Sequence, residues 1–192
     1  MRLFTAIALP PKVRGNLERL LARLKPAAPI KWSPAKNLHI TTKFIGEWGE
    51  ERLDELRAAL ESIEPVGEIE IAVRGLGWFP NERAPRVFWA GIEAGAGLAE
   101  LARRTEQRLA GLGIPVERRK FSPHLTLARI KGPVDLGPLR KAISGLPSTE
   151  FGSFVADRFH LYLSELTPAG SIYTPLDEFE IVRAGSPGGG DG

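Results

Sequence analysis

The chain has 192 residues, of which 43% are hydrophobic, and it carries a net charge of +3. That size suits one globular domain or two small lobes with a shared core, and the charge is compatible with a polyanionic partner without establishing one. The absence of cysteine excludes disulfide bonds, thiolate nucleophiles, iron–sulfur clusters and cysteine-based zinc sites.

The two ends of the chain lack the patterns of targeting or anchoring segments. Residues 2–9 form an apolar run that Pro10 and Pro11 interrupt, which is too short for a secretory signal or a membrane span. Residues 186–192 are rich in glycine and have no apolar anchor, which predicts a flexible tail. We therefore expect a soluble, cytoplasmic protein whose residues 1–185 form a single domain.

Hydrophobic periodicity predicts a mixture of strands and helices along this domain. The predicted elements, in chain order, are strand 2–9, helix 12–24, strand 38–45, helix 51–63, strands 69–78 and 86–92, helix 98–112, strand 124–130, helix 136–143, and strands 154–163 and 179–183. This order favours an α+β fold built from strand–helix–strand units with largely antiparallel sheets.

Two segments of the chain resemble each other. The stretches NLHITTKFIGE and SPHLTLARIKG both contain histidine, an aliphatic residue and threonine, followed by an apolar strand that ends in glycine. Their histidines, His39 and His124, lie 85 positions apart (124 minus 39), slightly less than half the chain. This spacing predicts two similar lobes, each of which presents one motif strand to a shared cleft.

The His-x-Thr spacing has a chemical consequence. Alternate residues of a strand point to the same face, so His39 lies beside Thr41 and His124 beside Thr126. Two imidazoles that face each other can supply the base and the acid for phosphodiester hydrolysis near neutral pH, and the hydroxyls can donate to phosphate oxygens. This scheme requires no metal. His160, the third histidine, lacks a threonine at the second following position and is predicted to be structural.

At these motifs the sequence resembles the two-histidine phosphoesterase superfamily, and more closely the RNA 2′,3′-cyclic phosphodiesterases, also called 2′-5′ RNA ligase-like proteins. The resemblance covers nearly the whole chain through LFTAIALPP, KWSPAKNLHITTKFIGE, GLGWFPNERAPRVFWAGI and KFSPHLTLARI. It implies a bilobal fold with helices outside two antiparallel sheets, a pseudo-twofold axis, and a positively lined central cleft with one motif per lobe.

The resemblance also implies an activity for residues 1–185. The family hydrolyses a terminal 2′,3′-cyclic phosphate of RNA to a 2′-phosphate without a metal or cofactor. By analogy, His39 is the general acid on O3′ and His124 the general base on water, although the two motifs are too similar for the sequence to order these roles. Several members also run the chemistry backwards and join RNA ends through a 2′,5′ linkage.

Other residues are weaker candidates for contacts with the substrate. Simple alternation puts Lys43 on the face of His39 and Thr41, near the phosphate, but a solvated lysine at the strand edge has the same pattern. The family has a phosphate- or base-contacting arginine at the position of Arg129. Alternation places Arg129 on the face opposite His124, so a bend in the strand is needed to bring it to the phosphate.

Two further features are candidates for RNA contacts. The basic run Arg118, Arg119 and Lys120, directly ahead of the second motif, is a candidate lining of the RNA path, although charge runs are commonly only solvated. Phe4 matches an aromatic position of the family's first strand and is a candidate for stacking on a base, with a core role as the alternative.

The expected partner is RNA with a 2′,3′-cyclic phosphate end, such as a tRNA half, and we expect a monomer that does not bind membranes. Two alternatives remain open on the sequence alone. One is a non-catalytic protein that binds RNA ends. The other is a phosphodiesterase that acts on a small cyclic nucleotide or a cyclic phosphate of ADP-ribose.

Overall fold

The computed structural model describes residues 1–183, so the glycine-rich tail predicted for residues 186–192 lies outside the described part of the chain. The helices are α1 (Pro11–Leu24), α2 (Leu53–Glu61), α3 (Ala96–Ala110) and α4 (Gly137–Ser144). The strands are β1 (Arg2–Ala8), β2 (Lys31–Trp32), β3 (His39–Glu47), β4 (Ile69–Phe79), β5 (Val87–Ala94), β6 (His124–Arg129), β7 (Glu150–Ala156), β8 (Arg158–Thr167) and β9 (Gly170–Glu180).

The strands form two sheets in which the paired strands run antiparallel. The first sheet has the strand order β3-β1-β8-β9, and the second has the order β2-β6-β5-β4-β7. The first motif strand, β3, is at an edge of the first sheet, and the second motif strand, β6, lies in the second sheet. The predicted α+β fold with antiparallel sheets is confirmed.

The repeat predicted from the two motifs is also present in the backbone. The unit β1–α1–β3 recurs as β5–α3–β6, and the first residues of all three elements are offset by 85 positions (87 minus 2, 96 minus 11, 124 minus 39). β1 pairs with β3 in the first sheet, and β5 pairs with β6 in the second. Each motif strand therefore lies beside the strand that opens its own repeat.

The helices connect the two repeats through one core. The buried side of α1 is the predicted apolar face, formed by Val13, Leu17, Leu20, Leu21 and Leu24. This helix packs against β7 of the second sheet, whereas α3 packs against β3 of the first sheet. The helix of each repeat thus covers the sheet that contains the strands of the other repeat, and the buried apolar residues form a single cluster.

The C-terminal strands differ from the prediction. A single strand over residues 154–163 is wrong, because the chain leaves the second sheet after Ala156 and enters the first sheet at Arg158. A last strand over residues 179–183 is also wrong, because β9 extends from Gly170 to Glu180 and contains Pro175. β9 is an edge strand, where proline is tolerated since one side of the strand has no hydrogen-bonding neighbour.

Membrane insertion by a helix is not supported by this fold. Across residues 1–183, every helix is too short or too polar to cross a bilayer.

Candidate active site

The first motif lies at the start of β3, where the pairing with β1 determines which side chains share a face. His39 and Thr41 lie opposite Ala8 and Ala6, which are alternate residues of β1. The two side chains therefore point to the same face, as the sequence predicts. Ile40 lies between them and is fully buried on the other face.

A β-bulge interrupts β3 directly after the first motif. The register with β1 shifts by one residue between Thr41 and Lys43, so Thr42 is an extra residue without a partner on β1. The Thr42 side chain is buried, and its hydroxyl shares a 2.7 Å hydrogen bond with the Thr5 hydroxyl on β1. This buried bond fixes the bulge against the neighbouring strand.

The bulge reverses the alternation for the residues that follow it. Phe44 lies opposite Phe4, whose ring contacts the His39 ring at a centroid distance of 4.7 Å. Phe44 therefore points to the face of His39, and 65% of its surface is exposed. Lys43 points to the opposite face, so the prediction that Lys43 shares a face with His39 and Thr41 is wrong.

The Lys43 ammonium has a different set of partners. It donates to Glu106 Oε1 on α3 at 2.5 Å and to the carbonyl oxygen of Pro115 at 2.7 Å, and the side chain is 5% exposed. The Glu106 carboxylate also accepts the backbone N–H of Glu117 at 2.8 Å. Lys43 therefore connects β3 with α3 and with the loop at residues 115–119 rather than contacting a phosphate.

The second motif strand has the same geometry. His124, Thr126 and Arg129 lie opposite three alternate residues of β5, which places all three side chains on one face. This arrangement requires the register shift between β5 and β6, which leaves Leu127 as the extra residue. The bulge is the bend that brings Arg129 onto the face of His124.

Both histidine rings are oriented by backbone carbonyl groups. The Nδ1 atom of His39 lies 2.7 Å from the carbonyl oxygen of Asn37, and that of His124 lies 2.8 Å from the carbonyl oxygen of Ser122. A carbonyl oxygen only accepts hydrogen bonds, so each Nδ1 carries the hydrogen and donates it. In the neutral rings Nε2 is therefore the basic atom, and it is Nε2 that gains or loses a proton.

Aromatic rings surround His39. Phe4 lies 4.7 Å away between centroids, and Tyr173 lies 5.1 Å away with its ring nearly perpendicular, at 85°. Tyr162 stacks on Phe4 at 5.2 Å and lies 6.2 Å from the His39 ring. These rings come from β1, β8 and β9, so the first sheet as a whole forms the wall behind this imidazole.

The pKa of His39 is lowered from its usual value of 6.5. Burial among the aromatic rings is the main cause, because it disfavours the charged ring. The hydrogen bond to the Asn37 carbonyl acts in the opposite direction, and the charge of His124 adds a smaller lowering effect. The motif strands β3 and β6 also contact each other, which agrees with two histidines that face one cleft.

His124 contacts an aromatic ring in the same manner as His39. The Phe79 ring at the end of β4 lies 5.0 Å away and is nearly perpendicular to the imidazole, at 87°. Phe79 in turn contacts Trp89 on β5 at 5.2 Å. Each imidazole thus has a fixed ring plane, set by a backbone carbonyl on one side and a perpendicular aromatic ring on another.

The motif hydroxyls are available to a ligand. Within residues 1–183, the threonine hydroxyls that form protein hydrogen bonds belong to residues other than Thr41 and Thr126. Arg129 is exposed, and none of the ion pairs between described residues includes its guanidinium. The described part of the chain contains no cluster of three or more histidine, aspartate or glutamate side chains arranged to hold a metal ion.

The predicted basic run lies beside the site. Arg118, Arg119 and Lys120 are exposed in the loop between α3 and β6. Arg118 and Arg119 line a groove of about 520 Å³ whose other wall is the end of β3, residues 43–46. Lys120 follows them in the chain but does not line the groove.

The burial of Phe4 does not agree with the prediction that its ring stacks on a base. The side chain is only 3% exposed, because His39, Tyr162 and Tyr173 cover the ring. The structure therefore supports the alternative core role, in which Phe4 orients His39. The exposed aromatic residue on this face is Phe44.

His160 lies on the same face of the first sheet, opposite Ala6 on β1. Its Nε2 is 3.7 Å from Glu178 Oε2, and its Nδ1 is buried without a hydrogen-bond partner among the described residues. Burial lowers its pKa, which agrees with a neutral, structural ring.

Several site residues were not predicted from the sequence. The carbonyl groups of Asn37 and Ser122 each lie two residues before a motif histidine, but every residue type has a carbonyl group, so the sequence does not signal these contacts. Tyr162, Tyr173 and Phe79 are not signalled by the motifs either. They reach the site through strand pairings far from the motifs in sequence.

Comparison with known proteins identifies the family of this chain. The LigT like Phosphoesterase profile matches twice, over residues 7–89 and 92–173, so one match covers each repeat. RNA 2′,3′-cyclic phosphodiesterase of Methanothermobacter thermautotrophicus is 38% identical over 186 residues, covering 94% of this chain and 99% of its own length. The protein of that name from Methanocaldococcus jannaschii is 36% identical over 179 residues, covering 93% of this chain and all of the relative.

Solved structures show the same architecture. A protein of Thermus thermophilus superposes with a TM-score of 0.79 at 34% identity, covering 94% of this chain and 98% of the other. LigT of E. coli complexed with 3′-AMP superposes with a TM-score of 0.75 at 27% identity, covering 94% of this chain and 97% of the other. With both repeats matched and nearly the full length aligned, the chain belongs to the LigT-like phosphoesterase family.

Proposed function

We propose that this protein hydrolyses the 2′,3′-cyclic phosphate at the end of an RNA to a 2′-phosphate. The observation that carries the proposal is the pair of imidazoles, each with Nδ1–H bonded to a carbonyl and Nε2 left for proton transfer. The names of the archaeal relatives, RNA 2′,3′-cyclic phosphodiesterase, support the substrate class. LigT of E. coli has been solved in complex with 3′-AMP and with phosphate, which supports a nucleotide phosphate as the ligand.

In the proposed reaction, water attacks the phosphorus atom and the bond to O3′ breaks. His124 Nε2 takes a proton from the attacking water, and His39 Nε2 gives a proton to O3′ as it leaves. The products are a free 3′-hydroxyl and a 2′-phosphate, and the two rings have exchanged protonation states. A proton exchange with solvent then restores the starting state, so this mechanism needs no metal ion.

The remaining groups on this face suit a phosphate. The hydroxyls of Thr41 and Thr126 donate to the non-bridging oxygens, where negative charge grows during attack. The Arg129 guanidinium supplies a positive charge on the face of His124. The shared face of each motif strand, which carries one imidazole and one hydroxyl in each repeat, supports these assignments.

The lowered pKa of His39 bears on its role as the acid. In the free protein, burial favours the neutral ring, which cannot donate from Nε2. A bound phosphate carries a negative charge, and an adjacent negative charge raises the pKa of an imidazole. The negative charge of the bound substrate therefore favours the protonated form of His39, so the general acid forms when the phosphate is bound.

The same site can join RNA ends. If the 5′-hydroxyl of a second RNA attacks in place of water, O3′ leaves in the same way and a 2′,5′ linkage forms. The energy of the strained cyclic phosphate drives this step, so it consumes no ATP. We propose RNA ends such as tRNA halves as the substrates. We also propose that the protein is a cytoplasmic monomer, and size-exclusion chromatography measures its oligomeric state.

The test is incubation with an RNA that ends in a 2′,3′-cyclic phosphate, in EDTA, followed by analysis of the end group. We expect conversion to a 2′-phosphate. In His39→Ala and His124→Ala, the rate falls by roughly 10²-fold or more, because each removes one proton-transfer group. His160→Ala is the matched control and retains most of the activity.

Other outcomes lead to other functions. RNA binding without turnover, unaffected by either motif mutation, supports the non-catalytic protein that binds RNA ends. Turnover of cyclic mononucleotides or ADP-ribose cyclic phosphates but not of RNA supports the small-molecule phosphodiesterase. Activity that is lost in EDTA and restored by Mg²⁺ contradicts the mechanism.

A further inference from the structure

The groove beside the motifs has one aromatic wall and one basic wall. Its first wall is formed by residues 43–46 of β3 and its second by residues 115–119. Phe44 and Val116 are 65% and 58% exposed, and both line this groove. Single exposed apolar side chains are common on protein surfaces, but two that line one groove form an apolar surface on which a ligand can bind.

Phe44 connects this groove to the first motif. Its ring lies 6.3 Å from Phe4, and Phe4 lies 4.7 Å from His39, so one ring separates Phe44 from the imidazole. The bulge in β3 turns Phe44 to the His39 face. A substrate whose phosphate lies at the histidines can therefore extend over the Phe44 ring without leaving this face.

The opposite wall carries positive charge. Arg118 and Arg119 are exposed, and neither takes part in an ion pair between described residues. Glu117 is the acidic residue of this wall, and its carboxylate accepts the backbone N–H of Arg119 at 3.1 Å. That bond turns Glu117 toward its own loop and lowers its pKa. The two guanidinium groups remain available to an anion.

The basic wall is held in place by hydrogen bonds to the Lys43–Glu106 ion pair. Lys43 donates to the Pro115 carbonyl at 2.7 Å, and Glu106 accepts the N–H of Glu117 at 2.8 Å. Lys43 and Glu106 are themselves paired at 2.5 Å. The backbone that carries the arginines is therefore fixed relative to β3 before a ligand binds, which lowers the entropy lost on binding.

We propose that this groove binds the nucleotide directly 5′ to the one that carries the cyclic phosphate. The base of this nucleotide stacks on Phe44, and the phosphate that links the two nucleotides lies at Arg118 and Arg119. The inference rests on the proposed function. Because the cyclic phosphate occupies both hydroxyls of the terminal ribose, the RNA can continue only through O5′. Stacking on an aromatic ring beside a basic wall is how proteins bind single-stranded nucleic acid.

The test compares two substrates in the full-length protein: 2′,3′-cyclic AMP and the dinucleotide ApA with a 2′,3′-cyclic phosphate end. The measured quantity is the ratio of kcat/KM for the dinucleotide to kcat/KM for the mononucleotide. We expect a ratio above one in the wild type. In Phe44→Ala and in the double variant Arg118→Ala/Arg119→Ala the ratio falls roughly 10-fold, the loss expected for one stacked base or its phosphate contact. Phe44→Tyr keeps a flat ring and retains the ratio.

Two control variants lie away from the groove. Val155→Ala removes an exposed apolar side chain on β7, and Lys141→Ala removes an exposed charge on α4; both keep the wild-type ratio. A wild-type ratio near one, or a ratio unchanged in Phe44→Ala, overturns the inference and leaves the proposed function standing. If the wild type hydrolyses neither substrate, the proposed function itself fails.

Discussion

Lys43 is a buried cation whose two acceptors belong to different elements. Replacement by alanine leaves the Glu106 carboxylate without its cation and the Pro115 carbonyl without a donor. Removing one partner of a buried ion pair costs several kcal/mol, and Glu106 is 21% exposed, so we expect Lys43→Ala to lower the free energy of unfolding by about 3 kcal/mol. Urea denaturation measures the change.

Lys12 provides the control for this prediction. It is an exposed lysine in the first turn of α1, so Lys12→Ala is expected to change the free energy of unfolding by less than about 0.5 kcal/mol. Equal stability of the Lys43→Ala and Lys12→Ala variants contradicts the buried pairing of Lys43 with Glu106.

His39 links stability to pH. Its pKa is lowered in the folded protein, so the unfolded chain binds a proton more readily than the folded one between the folded-state pKa and 6.5. The contribution of the neutral ring is fully present above pH 6.5 and is lost as the pH falls through the folded-state pKa. We expect the wild type to lose stability relative to His39→Gln as the pH decreases from 7.5 to 5.

Urea midpoints at several pH values check this prediction. His160 is also buried with a lowered pKa, but it remains in both proteins, so its effect cancels in the difference. A difference between wild type and His39→Gln that stays constant with pH shows that the folded protein does not shift the pKa of His39.

At the scale of elements, Asn37 connects two segments that are distant in sequence. Its side-chain Nδ2 donates to the Ser171 carbonyl at the start of β9 at 2.8 Å, while its own carbonyl accepts from His39 Nδ1. We expect Asn37→Ala to lower kcat/KM roughly 10-fold, as loss of a group that orients another does at metal-site histidines. Without the side-chain anchor, the Asn37 carbonyl holds His39 Nδ1 less well. Because this hydrogen bond raises the pKa of His39, the limb of the pH–rate profile that reports His39 moves to lower pH.

Asn16 offers a matched comparison. Its Nδ2 also donates to a distant carbonyl, that of Phe151 on β7, at 2.8 Å. Asn16→Ala is expected to cost about 1 kcal/mol of stability without moving the pH–rate profile. If both asparagine variants reduce stability and leave the profile in place, Asn37 is structural and does not orient His39.

The elements also explain which parts of the fold and site were predictable. Helix α1 and the start of β3 follow from apolar periodicity and from the repeated His-x-Thr pattern, and the family resemblance is confirmed. The bulges were not predictable, because Thr42 and Leu127 look like ordinary strand residues. An extra residue reverses the alternation of the side chains directly after it, which is why simple alternation puts Lys43 on the wrong face and requires a bend for Arg129.

At the scale of the molecule, the two repeats depend on each other for burial. α1 covers the second sheet and α3 covers the first, and the apolar side chains form one cluster. We therefore expect one unfolding transition in urea, with coincident curves from tryptophan fluorescence and far-UV circular dichroism. A fragment of residues 1–85 lacks α3 and is expected to show the circular dichroism of an unfolded chain. Two separate transitions, or a folded fragment, contradict this interdependence.

The exchange of helices between the repeats has a consequence for assembly. A chain with a single repeat of this kind would leave its own sheet uncovered, and it would carry one motif histidine where the proposed mechanism uses two. Such a chain could be active only as a twofold dimer, whose population falls on dilution. In the fused chain the second histidine is present at a fixed effective concentration, so the pair persists at any dilution. In a fused chain the two repeats can also differ in sequence. The position five residues after the motif histidine is Phe44 in the first repeat and Arg129 in the second.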